Sequence, residues 1–169
     1  MAVEEQVLYV SSLKLRSGGA TRVGQKLTIP NRVVSKLGFW LSKVGSPTGD
    51  VIFEIRKVSD DSLICSKLWG DAADLALSAT YYEVTLVTAE LINEEVRILA
   101  EAEGANADNC PQIHFQNTDV KANEYVTYYI SPTYTDNETW DMAYRYTYSE
   151  PPPPAGGGGP AVLVAAGVI

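Results

Sequence analysis

Histidine is almost missing from this sequence: among 169 residues there is only His114. One imidazole gives a Ser-His-Asp triad little to build on, and the strand-to-helix nucleophile elbow G-x-S-x-G does not occur. Phosphate-cradling glycine loops that open a helix are also absent, which removes the usual footing for nucleotide binding. Basic residues are few, with 13 Lys and Arg against 21 Asp and Glu and a net charge of −8. The densest basic stretch, residues 14–26, holds only Lys14, Arg16, Arg22 and Lys26. A nucleic-acid partner needs a concentrated positive patch to neutralise phosphates, so none is expected. No run approaches the roughly 20 apolar residues of a membrane-spanning helix. The opening Met1-Ala2-Val3-Glu4-Glu5 has neither the basic nor the apolar region of a secretory signal. The expectation is therefore a protein that leaves the cell without such a signal, has lost another leader, or is assembled inside and released in a particle.

Carboxylates and amides are plentiful, but their spacing points to turns and wet faces. Glu94, Glu95, Glu101 and Glu103 could supply a carboxylate pair for glycoside chemistry. On a strand, however, Glu101 and Glu103 fall on one face, which is ordinarily the solvated one. Residues 70–74 and 104–109 are oxygen-rich yet lack the spaced D-x-[DN]-x-[DN]-G pattern of a calcium loop, and Asn and Asp are common turn formers. No catalytic residue, metal or cofactor is expected. The only thiols are Cys65 and Cys110. Cys65 sits in an apolar strand pattern, so two buried thiols is the simpler reading. A Cys65–Cys110 disulfide is the alternative and would suit a long-lived exterior protein. Asn137-Glu138-Thr139 fits the N-x-[ST] glycosylation acceptor pattern.

What is present is strand. Apolar residues make up 46% of the chain and charged ones 20%, ordinary for one folded domain. Val51, Phe53 and Ile55 alternate with Ile52, Glu54 and Arg56, a period of two. The turn at residues 59–62 then joins this run to residues 63–69 as a β-hairpin. Further runs are read at 6–15, 21–29, 37–41, 81–87, 95–101, 112–116, 124–130 and 140–148. Residues 71–77 offer at most one turn of helix. Short strands at this spacing predict an all-β fold, an antiparallel two-sheet β-sandwich of jelly-roll type over residues 1–149. Its core is expected to hold Phe39, Leu41, Phe53, Ile55, Val84, Leu86, Val96 and Ile98. Trp40, Trp69, Trp140 and the tyrosines, including Tyr144, Tyr146 and Tyr148 on one strand face, could form a sugar platform. Core packing or a cross-strand ladder is the reading favoured here.

The stretches Val23-Gly24-Gln25-Lys26-Leu27-Thr28-Ile29-Pro30, Lys36-Leu37-Gly38-Phe39-Trp40-Leu41, Lys43-Val44-Gly45-Ser46-Pro47-Thr48-Gly49-Asp50 and Ile55-Arg56-Lys57-Val58-Ser59-Asp60-Asp61-Ser62 resemble a recurrent module. It is the jelly-roll or carbohydrate-binding-like β-sandwich of phage and virus structural proteins and of microbial surface proteins. The resemblance covers roughly residues 20–148. It implies a fold, and a place on a virion exterior or an extracellular surface, rather than a particular chemistry.

Beyond residue 149 the composition changes. Residues 150–160 form a Pro/Gly-rich linker, in which the run of four prolines, 151–154, favours an extended spacer and the four glycines, 156–159, a flexible joint before Pro160. Nine apolar residues follow: Ala161, Val162, Leu163, Val164, Ala165, Ala166, Gly167, Val168 and Ile169. Burying the five large ones contributes roughly 1.5–3 kcal/mol each. Ordering the segment costs on the order of 1–2 kcal/mol per residue. These terms nearly cancel, so ladder hydrogen bonds and a prepared groove must decide, as in donor-strand recognition. The expectation is a structural subunit of a homomeric assembly, with residues 161–169 as its assembly arm. The partner would be a second copy of the chain, with other structural proteins or surface glycans also conceivable. A carbohydrate-binding adhesin is the alternative. The proline run directs the arm towards a neighbour, although return to its own domain remains open.

Overall fold

The computed structural model describes residues 1–86, 91–104 and 106–151. The Pro/Gly linker past Pro151 and the arm Ala161–Ile169 lie outside the described residues. Among the described residues the fold is all-β and antiparallel, with twelve strands in one hydrogen-bonded network. They are β1 (Ala2–Gln6), β2 (Ser11–Lys14), β3 (Arg22–Val44), β4 (Asp50–Lys57), β5 (Leu63–Asp71), β6 (Thr80–Thr85), β7 (Leu91–Glu101), β8 (Cys110–Gln116), β9 (Tyr125–Ile130), β10 (Thr133–Asn137), β11 (Asp141–Met142) and β12 (Tyr144–Ser149). A single 3-10 turn, Ala72–Asp74, follows β5 where the sequence allows one turn of helix.

The 23-residue β3 organises everything else. Its first half pairs with β7 on one side and β9 on the other. Its second half pairs with β6 on one side and with β12 and β8 on the other. The sequence reading ended one strand at Ile29 and began another at Leu37. The chain instead continues through Pro30 and Asn31 as a bulge, where the register with β7 shifts between Ile29 and Arg32. Asn31 adopts φ +49°, a conformation asparagine tolerates, and its N–H donates to Asn93 Oδ1 at 3.0 Å. Pro30, which has no N–H to give, is accommodated at that irregularity.

The two halves of β3 belong to facing layers, giving a sandwich-like arrangement. Phe39 from the second half meets Phe53 of β4 edge-on, with ring centroids 5.1 Å apart. All eight core residues named from the alternation are buried. At Gly24 a Cβ would fall 1.8 Å from the Ile98 carbonyl oxygen, so only glycine permits that approach of β3 to β7. The β4–β5 hairpin forms as expected, with Asp50 opposite Asp71 and Ile55 opposite Cys65. Two other expectations are corrected. Residues 6–15 are two strands, not one, separated by residues 7–10. Residues 133–137, a polar stretch, form β10 because Tyr134 and Asp136 pair across to Tyr129 and Thr127.

A buried polar knot closes one end of the core. Asp141 accepts from the Val120 and Lys121 N–H groups at 2.6 and 2.9 Å, and from Gln25 Nε2 at 2.6 Å. Gln25 Oε1 in turn accepts from the Met142 N–H at 2.8 Å. Every partner is a fixed donor or acceptor, so removing the carboxylate strands three donors at once. Asp141→Ala should therefore lower unfolding stability by about 2–4 kcal/mol. Glu5→Ala, which breaks a largely solvent-screened pair with Arg145, should change it by less than about 1 kcal/mol. Urea midpoints of the two variants check the ordering.

Candidate functional site

Three arrangements compete for attention, and the first is the outer face of the β10–β9–β3–β7–β4 layer. Arg22 lies between Glu101 at 2.8 Å and Glu54 at 3.3 Å, while Arg56 reaches Glu54 at 2.9 Å. Lys26 and Arg97 both approach Asp136. Glu54, placed on the wet face by its alternation, has a side chain only 3% exposed. Burial raises its carboxyl above the usual range despite the adjacent Arg56 and Arg22. Rings complete the cover: Arg22 sits over Tyr129 at 4.9 Å and Arg97 over Tyr134 at 4.2 Å. Burial pushes the Tyr134 phenol up to about 12. Cations and anions here are spent on one another, which suits a stiff outer wall better than a ligand site.

The second arrangement is the nearest approach to a catalytic pair. Ser42 Oγ lies 2.8 Å from His114 Nε2 and 3.4 Å from Gln112 Oε1. Ser42 is 3% exposed and its hydroxyl is shared between His114 and the Gln112 amide oxygen, whereas a triad has a carboxylate on the far nitrogen of the imidazole. Burial lowers the His114 pKa and favours the neutral ring. Glu101, the carboxylate candidate, is committed to Arg22, while Glu103 is exposed beyond the end of β7.

The third arrangement is the N-terminal edge. Among the described residues β1 has β12 on one side and no strand on the other. It is firmly anchored. Glu4 accepts from Arg32 Nη1 at 3.2 Å and from Lys121 Nζ, and Glu5 accepts from Arg145 Nε at 2.5 Å. Gln6, buried, donates through Nε2 to the carbonyls of Leu8, Asp141 and Met142 at 2.9, 3.2 and 3.2 Å, and its Oε1 accepts from the Leu8 N–H. That side chain fixes the turn out of β1 and holds the following residues outward. Val7, Leu8, Tyr9 and Val10 are 40%, 57%, 39% and 64% exposed. A run of four exposed apolar residues breaks the usual surface pattern and marks contact surfaces in folded proteins. Tyr9 tilts against His114 with centroids 5.3 Å apart. Together with Val10, Ser11 and Ser12 these two residues line a shallow depression of about 480 Å³.

The remaining sequence candidates are placed as follows. Cys65 is half-buried on β5 and Cys110 is buried at the start of β8, two strands that are not neighbours. Burial pushes the Cys110 thiol up. Asn137, at the end of β10, accepts from the Thr139 N–H and hydroxyl at 3.0 and 2.9 Å, an Asx turn. Asp71 and Asn106 likewise hold turns: Asp71 accepts from the Ala73 N–H, and Asn106 from those of Asp108 and Asn109. Tyr144 and Tyr146 are core residues, and their rings lie nearly parallel at 6.2 Å. Trp40, Trp69 and Trp140 are half-buried against Tyr81, Tyr82 and Phe115. The exposed edge escaped the sequence reading because Val7, Leu8 and Val10 look like strand interior. The cue was Gln6, a polar residue ahead of an unbroken apolar run.

Fold and surface together define the class: an all-β, antiparallel, sandwich-like fold whose N-terminal strand has one free edge among the described residues. No protein-family model matches the chain, and no curated protein matches it.

Acid should loosen the edge first. Burial alone would raise the Glu4 carboxyl, but Lys121 and Arg32 outweigh it and hold its pKa below the usual value. A carboxyl depressed on folding contributes stability that is complete above its unfolded pKa, and this is lost as pH falls through the folded value. As pH falls from about 5 to about 3, amide-exchange protection of Ala2–Gln6 should fall before that of β3. In Glu4→Gln, protection of β1 should be lower at neutral pH and nearly flat over the same range.

Proposed function

We propose that the chain is a non-catalytic structural subunit of a homomeric assembly, of the virion-exterior or extracellular-filament kind, coupled through residues 161–169. The observation that carries this reading is the exposed apolar run Val7 to Val10, continuous with an anchored edge strand that has no outer partner among the described residues. An unpaired edge beside apolar surface is a template for another chain. The same sequence also carries a nine-residue apolar segment behind a Pro/Gly linker. The jelly-roll assignment belongs to this proposal, supported by one strand, β3, taking part in both facing layers. Absence of turnover is a further part of it, supported by the burial of Ser42 behind His114.

A carbohydrate-binding module is the second reading, and the depression beside Tyr9 favours it, since a ring next to hydroxyls and an imidazole is what sugar sites use. Against it, each tryptophan is half-buried and packs against a neighbouring ring of its own chain.

Truncation after Glu150 tests the leading reading. The shortened chain should stay folded, with a Tm within about 3 °C of the full chain, since about 1 kcal/mol shifts a domain of this size by 2–4 °C. It should also fail to assemble. A large fall in Tm would mean that the arm completes its own domain, and unimpaired assembly would end the proposal.

A further inference from the structure

We propose that the open edge of β1, extended by the exposed run Val7 to Val10, is the acceptor for residues 161–169 of a second copy. This rests on the assembly reading and adds the surface that the arm occupies.

Other open edges are less suited. Among the described residues β5 has β4 as its one strand partner, and Leu63 and Leu68 are exposed on it. Its ladder with β4 is interrupted by register shifts near both ends, and Lys67 is exposed between them. Bulges and an edge lysine are the devices by which sheets discourage a further strand. β10 is short and polar, Thr133–Asn137, and its Asp136 is engaged by Lys26 and Thr127. β1 has an unbroken register with β12 from Ala2 to Gln6. Its charged side chains already have partners: Glu4 with Arg32 and Lys121, Glu5 with Arg145. An uncharged strand docking there leaves no new ion unpaired. Residues 2–6 offer the open strand edge, while Val7–Val10, outside the strand and with the Leu8 and Val10 N–H groups already bonded to Gln6 Oε1 and the Phe115 carbonyl, add exposed apolar side chains rather than ladder bonds. An extended nine-residue arm, about 30 Å long, is long enough to cover both.

The exit of the chain argues for a second copy. β12 runs antiparallel to β1, with Tyr148 opposite Ala2, so the chain leaves the domain beside the start of β1. An arm turning straight back would run parallel to β1. Reaching the antiparallel orientation within the same subunit would first need the linker to span the whole edge. A neighbour's arm can enter in the antiparallel sense, whose hydrogen bonding is the slightly more stable per residue. One arm and one edge per copy make a head-to-tail contact. Such contacts propagate into a filament, or a ring if the rotation closes, rather than stopping at a symmetric dimer.

Two full-length variants test this. Leu8→Glu with Val10→Glu spoils the acceptor at two positions whose side chains already face solvent. Leu163→Glu with Val164→Glu spoils the donor. By light scattering after size exclusion, each variant alone should be monomeric while the native chain forms larger species. A one-to-one mixture should give a dimer that grows no further, since it contains one intact arm and one intact edge per pair. Amides of residues 2–6 in the donor-defective partner should gain exchange protection on mixing. Assembly of the Leu8/Val10 variant at the native level, or a mixture that stays monomeric, would overturn the β1 acceptor while leaving the assembly reading standing. A native chain that is monomeric at every concentration would overturn the assembly reading itself, and this inference with it.

Discussion

Everything in this fold hangs on one strand crossing from one layer to the other. Had β3 ended at Ile29, as its Pro30-Asn31 sequence suggests, the layers would share no strand and would be joined by side-chain packing and a few cross-links such as Gln25 to Asp141 and the Val126 N–H to the Trp140 carbonyl. Because it continues, ladder hydrogen bonds run unbroken from β10 through β3 to β1. Two local devices make this possible: glycine at position 24, where the Ile98 carbonyl leaves no room for a Cβ, and the bulge at Asn31. Either side of the bulge the inward residues keep period two, so Val23, Leu27 and Ile29 and then Leu37, Phe39 and Leu41 all enter one core. The bend is what allows Phe39 to meet Phe53.

Polar groups are handled differently on the inside and the outside of this frame. Inside, Gln25, Asp141 and Gln6 satisfy one another and nearby backbone, and in doing so they fix β1 and the chain ahead of β9. Outside, arginines and carboxylates neutralise each other under tyrosine rings. Both arrangements leave little polar capacity for a ligand. Exposed apolar side chains occur at several places among the described residues, but four in succession, Val7 to Val10, lie at the N-terminal edge, and the proposed contact between chains is built on that run.

Alternation made the core legible in the sequence: the eight residues named from it are buried, and the β4–β5 hairpin follows from its short polar turn. Three features were hidden for physical reasons. Pro30 and Asn31 carry a turn signature, but a bulge uses the same residues because it needs the same unusual backbone angles. Glu54 reads as a solvated residue because opposite charges that bury one another across strands leave no trace in a one-strand pattern. Val7 to Val10 read as strand because apolarity alone does not say which side of the sheet edge a residue occupies. The glutamine ahead of them, whose amide ties the turn to Asp141 and Met142, is visible as a cause only once the strands are paired.

The central claim is that this chain works as one unit of a larger object, and electron micrographs of the purified full-length protein test it most directly. The account predicts filaments or closed rings of uniform width, built from repeats the size of a single domain. A field of dispersed single domains at high protein concentration would contradict it.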